Sequence, residues 1–364
     1  MSDHFASGTE LKAWAINQID HDLSAFKKPK FKETDISNIY KDLSNVPGNL
    51  LIKFQIIDGV LYSNHNELDK NNSEITSAHN IFCRFFGNMI RNHDFDKNVE
   101  FIVSVGERLK VPDHYNFKAP IIVPVKNSRD SFNKYVVMAP DHYTISEWPR
   151  LYSYILSANE KYPWNRKIEK AFWRGSSSGG VYTRENWQNF PRVKLVQLSS
   201  ENPNLIDAKF TTLPQNDKAV MDMLSEKYPL ALYVSQADHV KYKIQVSVDG
   251  NTTSLSGYLW RLLSNSFVLS QKSTNAQWFH CILKEGQHYV AIEYDMSDLL
   301  HKIKWVLDHE EASKTIAFAG SELVSNEITP DHLHLYWSHL LSEYSKLQDF
   351  TLLNPSLTKA QNID

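Results

Sequence analysis

At 364 residues the chain exceeds the size at which a single hydrophobic core stops growing, so two packed domains are expected. Hydrophobic residues make up 42% and aromatic residues 12%, which excludes a disordered or low-complexity chain. The formal net charge is only −3, so the broad basic field that nucleic-acid binding needs is absent and nucleic acid is excluded as a partner. Cys83 and Cys281 are too few for a disulfide framework or a thiolate zinc site, although one bridge between them stays open.

Leu11, Ala15, Ile19 and Leu23 recur four apart, so an amphipathic helix is predicted near the start of the chain. The first thirty residues show no basic-then-apolar leader pattern, the ending AQNID is no retention signal, and no apolar run is long enough to span a bilayer. A soluble, cytoplasmic protein is the expectation. The lysine cluster Phe26–Lys32 reads as a solvated helix end, with contact at the inner face of a membrane as the alternative.

Ile52–Ser63 carries two β-rich runs joined by Asp58-Gly59, a strong hairpin signal. A helical segment over 78–90 follows, and then the apolar runs Phe101–Val105 and Ile121–Val125, which read as strands buried on both faces. After Pro163 the pattern restarts with Ala171-Phe-Trp173, a helical KLVQLSS, the strand Tyr242–Val248, the helix LWRLLSNS, FVLS and HYVAIEY. A last helix follows Asp295, with Asp295 or Ser297 as its cap and Leu299, Ile303 and Val306 on one face. Strands alternating with helices imply a doubly wound second domain with a mostly parallel sheet.

The stretch AFWRGSSSGG (Ala171–Gly180) places an apolar strand before a loop of hydroxyls and glycines. Gly175 and Gly180 are spaced as in a phosphate-binding P-loop, but Val181-Tyr182 stands where Lys-Ser/Thr is required, and no GxGxxG is present. What remains is a loop whose hydroxyls and amides can grip an anion without a metal, or a plain polar turn. Asp94-Phe95-Asp96 has a metal-holding spacing but precedes a strand, and it is read as a solvated turn. His332, His334 and His339 do not share one helix face, so they are read as surface or packing residues rather than zinc ligands. No GxSxG elbow supports a Ser-His-Asp nucleophile, and Cys281 beside His280 carries no spatial information.

In this order the segments FQIIDGVLY, FIVSVGERLKVP, KYPWNRKIEKAFWRGSSS, PRVKLVQLSSENPNLIDAKF, DHVKYKIQVSVDG, SNSFVL and HLYWSHLLSEYSKL, over about residues 50–347, resemble glycosyltransferase family 90. That family includes Rumi-type protein O-glucosyltransferases and bacterial lipopolysaccharide-core glycosyltransferases. The resemblance implies an α/β, GT-B-like architecture: two Rossmann-like domains facing a central cleft, with an N-terminal helical extension. The expected division is an extension over 1–48, an acceptor-side domain over 49–165, a nucleotide-sugar domain over 166–330, and a C-terminal helix over 331–364 packing back on the first domain.

It further implies inverting transfer from a UDP-sugar with no cofactor and no metal. Ser176, after Trp173-Arg174-Gly175, would contact the nucleotide, and Arg192, at the start of a predicted helix, would pair with its phosphates. Gly250, Thr253, Ser254 and Ser256 would form the second diphosphate-binding segment. Two departures stand out. No arginine follows Ser254 or Ser256 by two residues, as it does in the Rumi-type pattern. The family's catalytic aspartate aligns with Glu107, whose extra methylene shifts the carboxylate by about 1.5 Å, and Asp141 is the second candidate for the base. The expected acceptor is a glycan or lipid-linked glycan of a lipopolysaccharide-type core. The alternatives are a Ser on a protein, and an inactive chain that only binds UDP-sugar.

Overall fold

The computed structural model describes residues 10–92, 94–214 and 217–360. The first residues of the chain and the tail beyond Ala360, from which the leader and retention readings were drawn, lie outside them. Two compact units result: one from residues up to Glu147 with Asn275–Ile282 and Pro330 onward, the other from Trp148–Thr274 and Leu283–Thr329.

Unit 1 opens with the predicted amphipathic helix, Ala13–Leu23, whose Ala15, Ile19 and Leu23 are buried as their spacing requires. A second helix, Glu33–Ser44, buries Ile36, Ile39 and Leu43. Strands β1 (Leu51–Ile57) and β2 (Val60–Ser63) form the hairpin, paired Ile57 to Val60. Asp58 and Gly59 both sit at positive φ, 48° and 73°, the backbone that a two-residue turn demands and that Asp-Gly tolerates. The helix Ser73–Arg91 leads to β3 (Val99–Ser104), β4 (Ile121–Val123), the short β5 (Lys126–Asn127) and β6 (Val136–Met138). β3 is antiparallel to β1, whereas β3, β4 and β6 run parallel, so the sheet is mixed. Inside it Lys53 pairs with the fully buried Glu100 at 3.0 Å, and Gln55 donates to the same carboxylate at 2.7 Å.

Unit 2 is built on β7 (Ile168–Ser176), β8 (Ile206–Thr212), β9 (Tyr242–Ser247) and β10 (Phe267–Gln271). The two-residue β11 (Asn275–Ala276) pairs with β5 and belongs to unit 1, after which β12 (Val290–Ile292) completes the unit 2 sheet. All of its pairings are parallel, in the order β12-β10-β9-β7-β8. The chain thus steps outward from β7 to β8 and then returns to the other side of β7 to place β9. That reversal is a topological switch point, and in open parallel sheets ligands bind beyond the strand ends where it occurs.

Unit 2 takes in the chain from Trp148, earlier than the expected 166, and the helix His142–Lys161 runs through Pro149. From it the Trp148 indole donates to Ile328 O at 2.8 Å and Asn159 to Leu263 O at 2.8 Å. In the helix Leu299–Asp308 the predicted face of Leu299, Ile303 and Val306 is buried, but the cap position is Asp298. Asp298 accepts from the Glu293 amide and pairs with Lys302, while Asp295 accepts from Ser297.

The chain returns to unit 1 with the helix Pro330–Ser345 and β13 (Thr358–Lys359), which adds to β2. Tyr336, Trp337 and Tyr344, each fully buried, donate to the carbonyls of Met138, Pro140 and Pro120. His334 stacks on Phe85 at 4.3 Å, and among the described residues no group of three or more His, Cys, Asp or Glu could hold a metal ion. Asp96 is exposed and paired with Lys97. No helix among the described residues is long and apolar enough to cross a membrane.

Candidate functional site

The two loops singled out in the sequence leave unit 2 at adjacent strand ends, the first from β7 and the second from β9. β7 carries an irregularity between Gly175 and Ser176, where its register on β8 shifts. Gly175 pairs with Phe210 and Ser176 with Thr212, so the extra residue of the bulge, Thr211, lies on β8. Arg174, on β7, stands opposite Lys209 of β8. Its guanidinium pairs with Asp207 of β8 at 2.9 Å and lies over the Phe172 ring, so the structure gives Arg174 a task in the sheet and does not bring it to the loops.

Arg192 is the hub. It is the second residue of the helix Pro191–Glu201, which Pro191 starts with a pre-set φ and a missing amide that helix starts do not need. From there the guanidinium donates to Ser176 O at 2.9 Å, to Ser178 Oγ at 2.7 Å and, at 3.4 Å, to Ser176 Oγ. On the β9 side it donates to Asp249 O at 2.9 Å and to Val248 O at 3.2 Å. One side chain thus ties the two strand ends together, with the Trp173 ring 5.6 Å from its guanidinium carbon. The Gly179 amide donates to Asn251 Oδ1 at 3.0 Å, a second link between the same loops. Gly250 fits because it has no side chain: a Cβ there would stand 2.7 Å from Ser178 Oγ and 2.8 Å from Arg192 Nη2. Gly175, Ser176, Arg192 and Gly250 are therefore gathered at the switch point.

Beyond Gly250, Thr252 and Thr253 are buried, and Thr253 Oγ1 has no hydrogen-bond partner. Ser254 Oγ lies 3.4 Å from Ser247 Oγ at the end of β9, and Ser256 begins the helix Ser256–Leu263. Leu255, between them, is held at φ 46°, a conformation that costs a non-glycine residue about 1–3 kcal/mol. Sequence reasoning missed Arg261 in this helix. Its guanidinium reaches back one turn to donate to Gly257 O at 2.7 Å, toward the same loop.

The two candidate bases lie in unit 1 and differ sharply. Asp141 is buried, accepts from the Thr144 amide at 3.0 Å and from the Thr144 hydroxyl at 2.6 Å, and so caps the first turn of His142–Lys161. Burial pushes its carboxyl above the usual aspartate range, partly offset by the Thr144 bonds. Glu107 is exposed in the turn after β3. Burial, followed by the charge of Glu107, raises the Glu74 carboxyl, and burial, followed by the charges of Glu74, Glu107, Asp141 and Glu147, raises the Tyr143 phenol, so these side chains form one acidic neighbourhood.

Comparison with known proteins adds an independent line. Mouse protein O-glucosyltransferase 3 is 31% identical over 261 residues, covering 69% of this chain and 48% of that protein. Its human counterpart is 35% identical over 185 residues, covering 51% and 33%, and zebrafish protein O-glucosyltransferase 2 is 33% identical over 187 residues, covering 51% and 34%. The matches span between a third and a half of the length of these relatives. Among solved structures, Anabaena Alr3699/HepE in complex with UDP and glucose is a distant likeness, 12% identical over 62% of this chain and 63% of that chain with a TM-score of 0.40. The model of glycosyl transferase family 90 matches residues 15–361, which takes in every candidate site residue, and the chain belongs to that family.

Proposed function

We propose that this chain transfers a sugar from a UDP-sugar to an acceptor hydroxyl, with inversion and without a metal. The observation that carries the reading is the convergence on Arg192 of the β7 and β9 loops at the switch point of a parallel sheet, beside the start of a helix. Ser176, Ser178 and the loop amides would hold the diphosphate, and Arg192 would balance its charge. In the transfer the acceptor oxygen attacks the anomeric carbon, the bond from that carbon to the phosphate oxygen breaks, and UDP leaves with the bonding electrons. The hydroxyl proton passes to a carboxylate. Glu107 suits that role, being exposed, whereas both oxygens of Asp141 serve the helix cap.

For the acceptor, the relatives favour a protein serine over the lipopolysaccharide-type core expected first, since the proteins matched are protein O-glucosyltransferases. The test is calorimetric titration with UDP-glucose, UDP-galactose and UDP-xylose, together with UDP release in the presence and absence of EDTA. Binding with slow, EDTA-insensitive release supports the transferase. Release that requires a divalent ion removes the metal-free mechanism, and binding without turnover onto either folded protein domains or lipid-linked glycans leaves the chain a UDP-sugar-binding protein.

A further inference from the structure

Arg261 is 7% exposed, inside a helix that packs on the sheet, and its Nε is buried without a hydrogen-bond partner. Long helical side chains point back toward the helix start. Arg261 does so, placing Nη1 over the first turn of Ser256–Leu263, beside the β9 loop. Gly257 leaves that space open: a Cβ there would meet Arg261 Nη1 at 2.9 Å and Ser254 Oγ at 3.4 Å. Among the described residues no carboxylate compensates the charge, and the face of Trp260, 4.3 Å from the guanidinium carbon, gives partial relief. Burial, followed by the charge of Arg192, pushes the guanidinium down to about 9. Thr253 Oγ1, four residues before Gly257, is likewise buried and unpartnered.

A buried cation without a counter-charge is strongly unfavourable, and a bound anion relieves it. Resting on the reading of unit 2 as a UDP-sugar domain, we propose that Arg261, with the Thr253 hydroxyl, completes a second anion seat at the end of β9. It takes one phosphate of the donor's diphosphate while Arg192 holds the other. The seat answers the departure noted in the sequence: the cation absent two residues after Ser254 and Ser256 arrives from the next helical turn.

The experiment is calorimetric titration of the full chain with UDP, uridine and inorganic pyrophosphate, using wild type, Arg261→Met and Thr253→Val, with thermal melts of each without ligand. Arg261→Met is expected to weaken UDP and pyrophosphate about ten- to a hundredfold, the worth of one charge-assisted hydrogen bond, and to leave uridine affinity unchanged. Its melting point is expected to equal or exceed that of wild type, because a desolvated charge has been removed; a structural arginine would lower it. Thr253→Val is expected to weaken UDP by a smaller factor without loss of stability, and it decides the matter if the methionine variant does not fold. Unchanged UDP affinity in both variants, or parallel loss of UDP and uridine with a lowered melting point, overturns the seat. Wild-type binding of pyrophosphate but not UDP, lost in Arg261→Met, overturns the UDP-sugar reading and leaves the seat standing; absence of both ligands overturns the seat itself.

Discussion

At the scale of single residues the β7 and β9 loops depend on absent side chains as much as on present ones. Gly250→Ala places a methyl within 2.8 Å of Arg192 Nη2, so the guanidinium must move from the carbonyls it joins. UDP affinity is expected to fall about tenfold, the scale of one charge-assisted contact, with calorimetry as the readout. The candidate bases separate by two different measurements. Glu107→Gln is expected to lower the transfer rate by about 10²-fold or more at unchanged UDP affinity and melting point. Asp141→Asn keeps an oxygen that can cap the helix and removes a buried charge, so it is expected to retain transfer. Because the folded carboxyl of Asp141 lies above its unfolded value, its protonated form stabilises the protein below the unfolded pKa, and that contribution is lost as pH rises through the folded one. The Asn variant should therefore gain melting temperature relative to wild type as pH rises, with melts at pH 4 and pH 7 as the comparison. Loss of transfer in Asp141→Asn with Glu107→Gln intact would exchange the two roles.

At the scale of elements, residues that act through local pattern were legible and those that act through tertiary placement were not. Asp58-Gly59 announced its hairpin because a two-residue turn needs positive φ at both positions, and the helix faces of Ala15, Ile19, Leu23 and of Leu299, Ile303, Val306 followed from spacing alone. The loop after Trp173 could be read as an anion holder, and Arg192 came to notice through family resemblance. Arg174 could not be separated from Ser176, because its partner Asp207 stands on another strand. Arg261 sat within LWRLLSNS as one polar residue of an amphipathic helix, and only packing shows that it is buried. The boundary was drawn near Pro163, where the strand and helix pattern restarts, whereas unit 2 takes in the chain from Trp148. One seam within unit 2 is open to direct test. Ser199 Oγ accepts from the Ala208 amide at 2.8 Å and donates to Ile206 O at 3.2 Å, pinning the helix that carries Arg192 to β8. Ser199→Ala leaves a buried amide unsatisfied, so a loss of about 1–3 kcal/mol is expected in urea unfolding.

For the molecule as a whole, the two units are assembled from interleaved lengths of chain. Unit 2 is complete once Thr329 has been made, whereas unit 1 still lacks the helix Pro330–Ser345 and β13. Until that helix arrives, the carbonyls of Pro120, Met138 and Pro140 are without the hydroxyl and indole donors they meet in the finished protein. Synthesis from the N-terminus therefore reverses the order in which the units appear in sequence: unit 2 can close first, and the unit begun earlier is sealed last. A ribosome-bound chain whose exposed part ends near Thr329 should already protect the β7 and β9 loops from protease while β4 and β6 remain cleavable. The last aromatic residues of the helix, Tyr336, Trp337 and Tyr344, then work as a latch whose timing is set by their place in the message.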